Sequence, residues 1–221
     1  MANRAFEYFL RKAAPTLARL HGEELARAVI AQTRREYERV RPEVPDIGGL
    51  GNVFQPVMAV NGWIVALHRA MKAHGKTAAD SVEVCQIFVD RLLRRFPSFV
   101  LHLLGRLWLS APARRYLERQ ARRSQERRYP ADFVWKVERG RDGEVSLVFD
   151  ECAVNKWYDA QDVRDLKPYC NFVDVTYSRL MNMGVDATHT IGLGFKRCAL
   201  RFKRGRETIV PPSLEGIVEK V

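Results

Sequence analysis

Near residue 130 the hydrophobic pattern of this chain changes period, from the three-to-four spacing of helices to the alternation of strands. Before that point the chain reads as helix and turn. GEELARAVIAQTRREYERV, residues 22–40, carries Leu25, Val29, Ile30, Thr33 and Tyr37 at helical spacing, and PEVPDIGGLGN breaks it. VFQPVMAVNGWIVALHRAMKAHG is apolar nearly all round and stops at Gly75, a residue suited to the C′ position, which predicts a buried central helix. Thr77 and Asp80 open the next segment, TAADSVEVCQIFVDRLLRRF, in the manner of a capping box, and Cys85 falls on its core face.

After the change of period, DFVWKVERGRDGEVSLVFDEC alternates about RDG and predicts two strands, over 132–138 and 144–150. A short helix over 153–159 and a longer one over 168–183, stopped by Gly184, come next. ATHTIGLGFKRCALRFKRG then supplies two more strands about a glycine turn. The order strand, strand, helix, helix, strand, strand implies an antiparallel sheet with helices on one face. The expected fold class is therefore α+β. An N-terminal helical part, residues 1–130, packs on a C-terminal α+β part, residues 131–221, within one integrated domain. The GLG of the turn is no phosphate loop, because no helix follows it to present a free N-terminus.

With 221 residues, 47% hydrophobic and 29% charged, the chain can bury a full core. The net charge of +11 is concentrated: eleven arginines between Arg91 and Arg128 face only Glu118 and Glu126. That run has no aromatic interleaving and no helix-turn-helix or zinc-finger pattern around it, so a solvated helical face is expected, attraction of an anionic ligand or surface is the alternative, and nucleic acid is not expected. SFVLHLLGRLWLSA, residues 98–111, is too short to span a bilayer. Its Leu, Trp and Arg pattern suits a helix lying on a membrane surface, an ordinary buried helix, the wall of an apolar pocket or a homo-oligomer contact. The N-terminus lacks the apolar stretch of a secretory leader, which makes the cytoplasm the expected location. Four cysteines without a C-x-x-C pair read as free thiols, and His21, His68, His74 and His102 have no companions at ligand spacing, so neither a metal nor another cofactor is expected.

The informative segment is KPYCNFVDVTYSRL, residues 167–180. On a helix Cys170, Asp174 and Tyr177 share one stripe, and a carboxylate among apolar neighbours is costly unless paired or used. Asp174 then either bonds an arginine or a threonine of the sheet, or acts as a base or proton carrier beside a thiol. Cys152 and Cys198 fall at the end of one strand and on the last strand.

These residues carry a resemblance. ECAVNKWYDAQDVRDLKPYCNFVDVTYSRLMNMGVDATHTIGLGFKRCALRFKRG, with GNVFQPVMAVNGWIVALHRAMKAHGKT upstream, resembles the L-2-amino-thiazoline-4-carboxylic acid hydrolase family over about residues 50–205. The shared pattern is a cysteine after a strand, a cysteine with an aspartate four residues on, a threonine-containing strand, a glycine turn and a third cysteine. Here these are Cys152, Cys170, Asp174, Thr188 or Thr190, Gly192 with Gly194, and Cys198. The resemblance implies a hydrolase that opens a small cyclic C=N or C–N bond of a thiazoline or amidine-like ring. Asp174 would be its base or proton relay and Cys170 its nucleophile or a pocket residue, with Thr188 and His189 as orienting groups. Cys152, Tyr177, Thr190, Cys198 and Asn61 would bind the small-molecule substrate. A neighbouring carboxylate raises a thiol's pKa, which favours water activation by Asp174 over attack by Cys170. Arg179 or Arg197 would hold a substrate carboxylate. The C-terminal half also resembles vinyl-reductase-type ligand-binding domains, so a non-catalytic small-molecule binding module is the alternative.

Overall fold

In a computed structural model that describes residues 4–218, six helices precede the sheet. The first, α1 (Arg4–His21), turns Phe6, Phe9, Leu10, Ala13 and Leu17 inward at helical spacing. It adds to the individual helices expected from the pattern. Helices α2 (Glu23–Val40), α3 (Gln55–Ala73) and α4 (Ala78–Leu93) follow the expected segments closely. Gly75 ends the α3 segment at φ 72, and the Thr77–Asp80 capping box opens α4 with Asp80 N–H to Thr77 Oγ1 at 3.2 Å and Thr77 N–H to Asp80 Oδ2 at 2.8 Å. α3 packs against α2, α4 and the later helix α7 (Ala153–Ala160), which accounts for its apolar circumference. Its buried His68 lies 3.1 Å from Ser81 Oγ and 3.2 Å from the Asp165 carboxylate, and is thus a satisfied core histidine. Helices α5 (Ser98–Trp108) and α6 (Ala111–Ser124) complete the N-terminal part.

Four strands form the sheet: β1 (Val134–Arg139), β2 (Val145–Glu151), β3 (Val185–His189) and β4 (Cys198–Phe202). They lie in the order β1-β2-β4-β3, and every pairing is antiparallel. Trp135 pairs with Phe149 and Phe149 with Cys198; Val137 pairs with Leu147 and Leu147 with Leu200. Side chains alternate along a strand, so these residues share the face turned to the helices, while Lys136, Glu138, Asp186 and Arg201 occupy the other. The structure is thus the expected α+β arrangement, with N-terminal helices on a C-terminal antiparallel sheet. A single cluster of buried apolar residues includes Leu10, Met58 and Leu67 of the helices together with Leu147, Phe149 and Phe202 of the sheet.

The helix expected over 168–183 is divided. Arg164–Tyr169 winds as a 3-10 turn, and α8 runs only over Phe172–Leu180. Asn171 makes the break at φ −103 and ψ 13, and its Nδ2 donates to the Ala187 carbonyl of β3 at 2.9 Å. This side-chain bond to the sheet competes with continued helix. Cys170 therefore ends the 3-10 turn and does not sit on the same helix as Asp174.

Helix α5 lies on α8 through Leu101 and Gly105, its two buried residues. A Cβ built on Gly105 would stand 2.2 Å from the Met181 carbonyl oxygen, so the approach depends on the missing side chain. Gly105→Ala is expected to push α5 off α8 and to lower stability by about 1–3 kcal/mol, measured as a reduced urea midpoint.

Candidate functional site

A cavity of about 440 Å³ separates the helices from the inner face of the sheet. Its walls are chiefly apolar. The Phe54 ring sits 4.7 Å from Phe133, 5.1 Å from Trp135 and 5.7 Å from Phe149, closing one side. Trp108 of α5 and Leu117 of α6 also reach the cavity. Seven of the nine residues expected at the site line it: Cys152, Cys170, Asp174, Tyr177, Thr190, Cys198 and Asn61. Thr188 and His189 do not. Thr188 Oγ1 donates to Asp186 Oδ1 at 2.7 Å, and the exposed His189 ring rests 4.6 Å from Phe195. The register shift between Asp186 and His189 and the inward position of Ala187 turn both side chains away from the site.

Three thiols converge at the polar end from three different elements. Cys152 follows β2 and is the N-cap residue of α7, with φ −115 and ψ 114. Its sulfur accepts the Asn155 Nδ2–H at 3.2 Å and is bonded by the Cys198 thiol, but makes no cap bond to the backbone N–H groups of α7. The Cys198 bond is the largest of these effects. Together they outweigh burial and bring Cys152 down to about 7. Cys198, held as the donor, is pushed upward by its bond to Cys152 and then by burial, and its sulfur accepts the Ile191 N–H at 3.1 Å. Burial raises Cys170 too, reinforced by charge on Cys152 and on Asp174, and outweighs the Asn155 Nδ2 contact at 3.7 Å. Of these thiols Cys152 is the one lowered and Cys170, expected as nucleophile or pocket residue, is raised.

Asp174 is pushed up to about 6 by burial, against the lowering effect of the Tyr177 O–H that it accepts at 2.8 Å. Tyr177 is itself raised well above its ordinary range by burial and by Asp174, and so remains a donor. No lysine, arginine or histidine lines the cavity among the described residues. Arg179 donates to the Val218 carbonyl at 3.1 Å and Arg197 pairs with Asp150 at 2.6 Å, so neither expected carboxylate anchor reaches the site. No group of three His, Cys, Asp or Glu among the described residues is arranged to hold a metal ion.

Several site residues escaped the sequence pattern. Asn155 contacts two thiols, and the buried Tyr158 O–H donates to Asn61 Oδ1 at 2.5 Å. Asn171 Oδ1 and Thr190 Oγ1 are buried without a hydrogen-bond partner among the described residues, and both residues line the cavity. Buried polar atoms of this kind are costly unless something bonds them.

Between the ordinary carboxylate range and about 6, folded Asp174 keeps a proton that the unfolded chain releases, so its contribution to stability falls as pH rises through that window. Asp174→Asn, neutral throughout, is expected to be more stable than wild type by about 2–3 kcal/mol at pH 7 and equal to it near pH 4, measured by urea unfolding. Iodoacetamide at neutral pH should modify Cys152 before Cys170 or Cys198, with a rate that titrates near 7, as followed by peptide mass spectrometry. No family model, curated protein or solved structure matches this chain.

Proposed function

We propose that the protein is a hydrolase of amidine-like C=N or C–N bonds in small apolar rings, with Cys152 as nucleophile and Asp174 as cation anchor and base. One observation carries this reading: the Cys152 thiol and the Asp174 carboxyl line one cavity that has no cationic side chain among its described residues. An amidinium supplies the missing positive charge. Paired with the Asp174 carboxylate, its central carbon is electrophilic without further protonation.

Cys152 S⁻ would attack that carbon, forming a C–S bond while the C=N electron pair moves to nitrogen. Collapse of the tetrahedral adduct breaks a ring bond, and the leaving atom takes a proton from the solvent side of the site. Water, deprotonated by Asp174, then adds to the thioimidate carbon and expels Cys152 as thiolate. The balance is one water per ring opened. Asn171 Oδ1 and Thr190 Oγ1 suit substrate N–H groups, since both are buried and unpaired among the described residues. Cys170, held protonated, is a polar wall.

The resemblance to L-2-amino-thiazoline-4-carboxylic acid hydrolases supports the bond class but not the carboxylate, for which the cavity offers no cationic partner among the described residues and a like charge at Asp174. The reactive thiol suits a reducing compartment such as the cytoplasm.

The test is turnover, by mass spectrometry, of 2-aminothiazoline with and without a ring carboxylate and of unsubstituted cyclic amidines. Wild type should add one water to the uncharged-ring compounds in preference to the carboxylate. Cys152→Ser and Asp174→Asn should each lose at least about 100-fold in kcat, while Cys170→Ser stays within about tenfold of wild type. Wild-type turnover in Cys152→Ser would remove the proposed nucleophile. A ligand-dependent rise in melting temperature without product would assign the cavity to a binding module, the reading that its apolar walls favour.

A further inference from the structure

The outer side of α5 is covered by large apolar side chains that the fold does not use. Phe99, Leu103, Leu104 and Leu107 are exposed at 71%, 50%, 44% and 55%, and Phe96, just before the helix, at 51%. The inner side is occupied by Leu101 and Gly105 on α8, and by the Trp108 ring 4.7 Å from Phe202. A contiguous apolar face of this size on one helix marks a contact surface.

What covers it is indicated by charge. Arg106 on α5 and Arg115, Arg119, Arg122 and Arg123 on α6 are exposed and make no ion pair among the described residues. Arg94, Arg114, Arg127 and Arg128 of the same region are, by contrast, paired with carboxylates. Exposed Leu and Phe beside free arginines is the pattern of a helix seated in an anionic lipid interface. A second copy of the chain fits less well, because pairing by this face would bring the unpaired arginines of one copy towards those of the other. Glu118, the acidic residue within α6, is already engaged by Arg114 and Arg139. Nucleic acid would satisfy the arginines and leave the apolar face exposed.

We propose that α5 lies in the plane of an anionic membrane surface, with Phe99, Leu103 and Leu107 among the acyl chains and the arginines of α5 and α6 at the phosphate level. Eleven residues rise only about 16 Å, which suits a helix lying in the interface and not one crossing it. No helix among the described residues is long and apolar enough to cross a membrane. The proposal stands apart from the cavity chemistry, although Trp108 ties the two places together: it belongs to α5 and lines the cavity.

Flotation with unilamellar vesicles tests it, using phosphatidylcholine alone and phosphatidylcholine mixed with phosphatidylglycerol. Wild type should float with the mixed vesicles and bind them at least about tenfold more tightly than the neutral ones. Raising the salt to about 0.5 M should weaken that preference, since screening shortens the reach of the arginines. Leu103→Glu with Leu107→Glu should reduce binding to the mixed vesicles at least about tenfold, and Arg115→Ala with Arg119→Ala should erode the anionic preference. All four positions are exposed, so unchanged melting temperatures separate lost binding from lost fold. The proposal is overturned if wild type remains unbound to both vesicle types, or if the double glutamate variant floats like wild type. It is also overturned if wild type sediments as a dimer that the glutamates dissociate, which would make the face a self-association surface.

Discussion

An apolar setting for Asp174, with no cationic side chain lining its cavity among the described residues, is the constraint on which the site depends. A carboxylate in such a place is answered by the Tyr177 phenol rather than by an arginine, and desolvation therefore prevails in its titration. The charge it does carry works on Cys170, adding to the burial that keeps this thiol protonated. Cys152 escapes the same fate chiefly through the Cys198 thiol, and then through the Asn155 amide, that bond its sulfur. Two sulfurs in one cavity are thus driven in opposite directions by the side chains each one meets.

The sheet register brings the sulfurs together. Phe149 pairs with Cys198, and Cys152 follows Phe149 by three residues, just past the end of β2. The chain turns into α7 at that point, and Asn155, within its first turn, bonds Cys152 and touches Cys170. Cys170 is brought in by the 3-10 turn that precedes α8. The glycine turn between β3 and β4 packs on that element: a Cβ on Gly192 would lie 2.0 Å from the Lys167 carbonyl and 3.0 Å from the Cys170 sulfur. A side chain at 192 would drive the turn and the thiol apart.

Much of this fold was legible because periodicity reports burial directly. The α3 segment, apolar all round, is the helix with neighbours on several sides, and the alternation about RDG is the β1–β2 hairpin. The shared stripe of Asp174 and Tyr177 was legible too, but Cys170 joins them at the cavity from a separate element, and Cys152 and Cys198 entered the expected site only through the resemblance. Local patterns could not reveal that Asn171 would bond β3 and end the turn there, because the partner carbonyl is sixteen residues away. Thr188 and His189 were misplaced for a related reason: an irregularity in strand pairing reverses which side chain faces in, and it leaves no mark on composition. The ionisation of Cys152 depends on a hydrogen bond from a cysteine forty-six residues later in the chain, a distance that no spacing rule covers.

If both proposals hold, the cavity and α5 would favour the same ligand chemistry. The cavity has an extensive apolar wall, two buried polar atoms awaiting partners among its lining and a carboxyl without a cation. A molecule that satisfies all three is apolar over most of its surface and positively charged at one end. Such amphiphiles concentrate at anionic lipid interfaces, held by the same hydrophobic and Coulombic forces that would seat α5 there. Trp108 stands at the junction, carried by the helix with the exposed apolar face and forming part of the cavity wall. A polar, carboxylate-bearing ring would meet the opposite conditions at each stage, excluded from the acyl region and repelled by ionised Asp174. The two features are therefore not independent in their consequences, because a helix on the membrane would place this cavity where its best-fitting ligands accumulate.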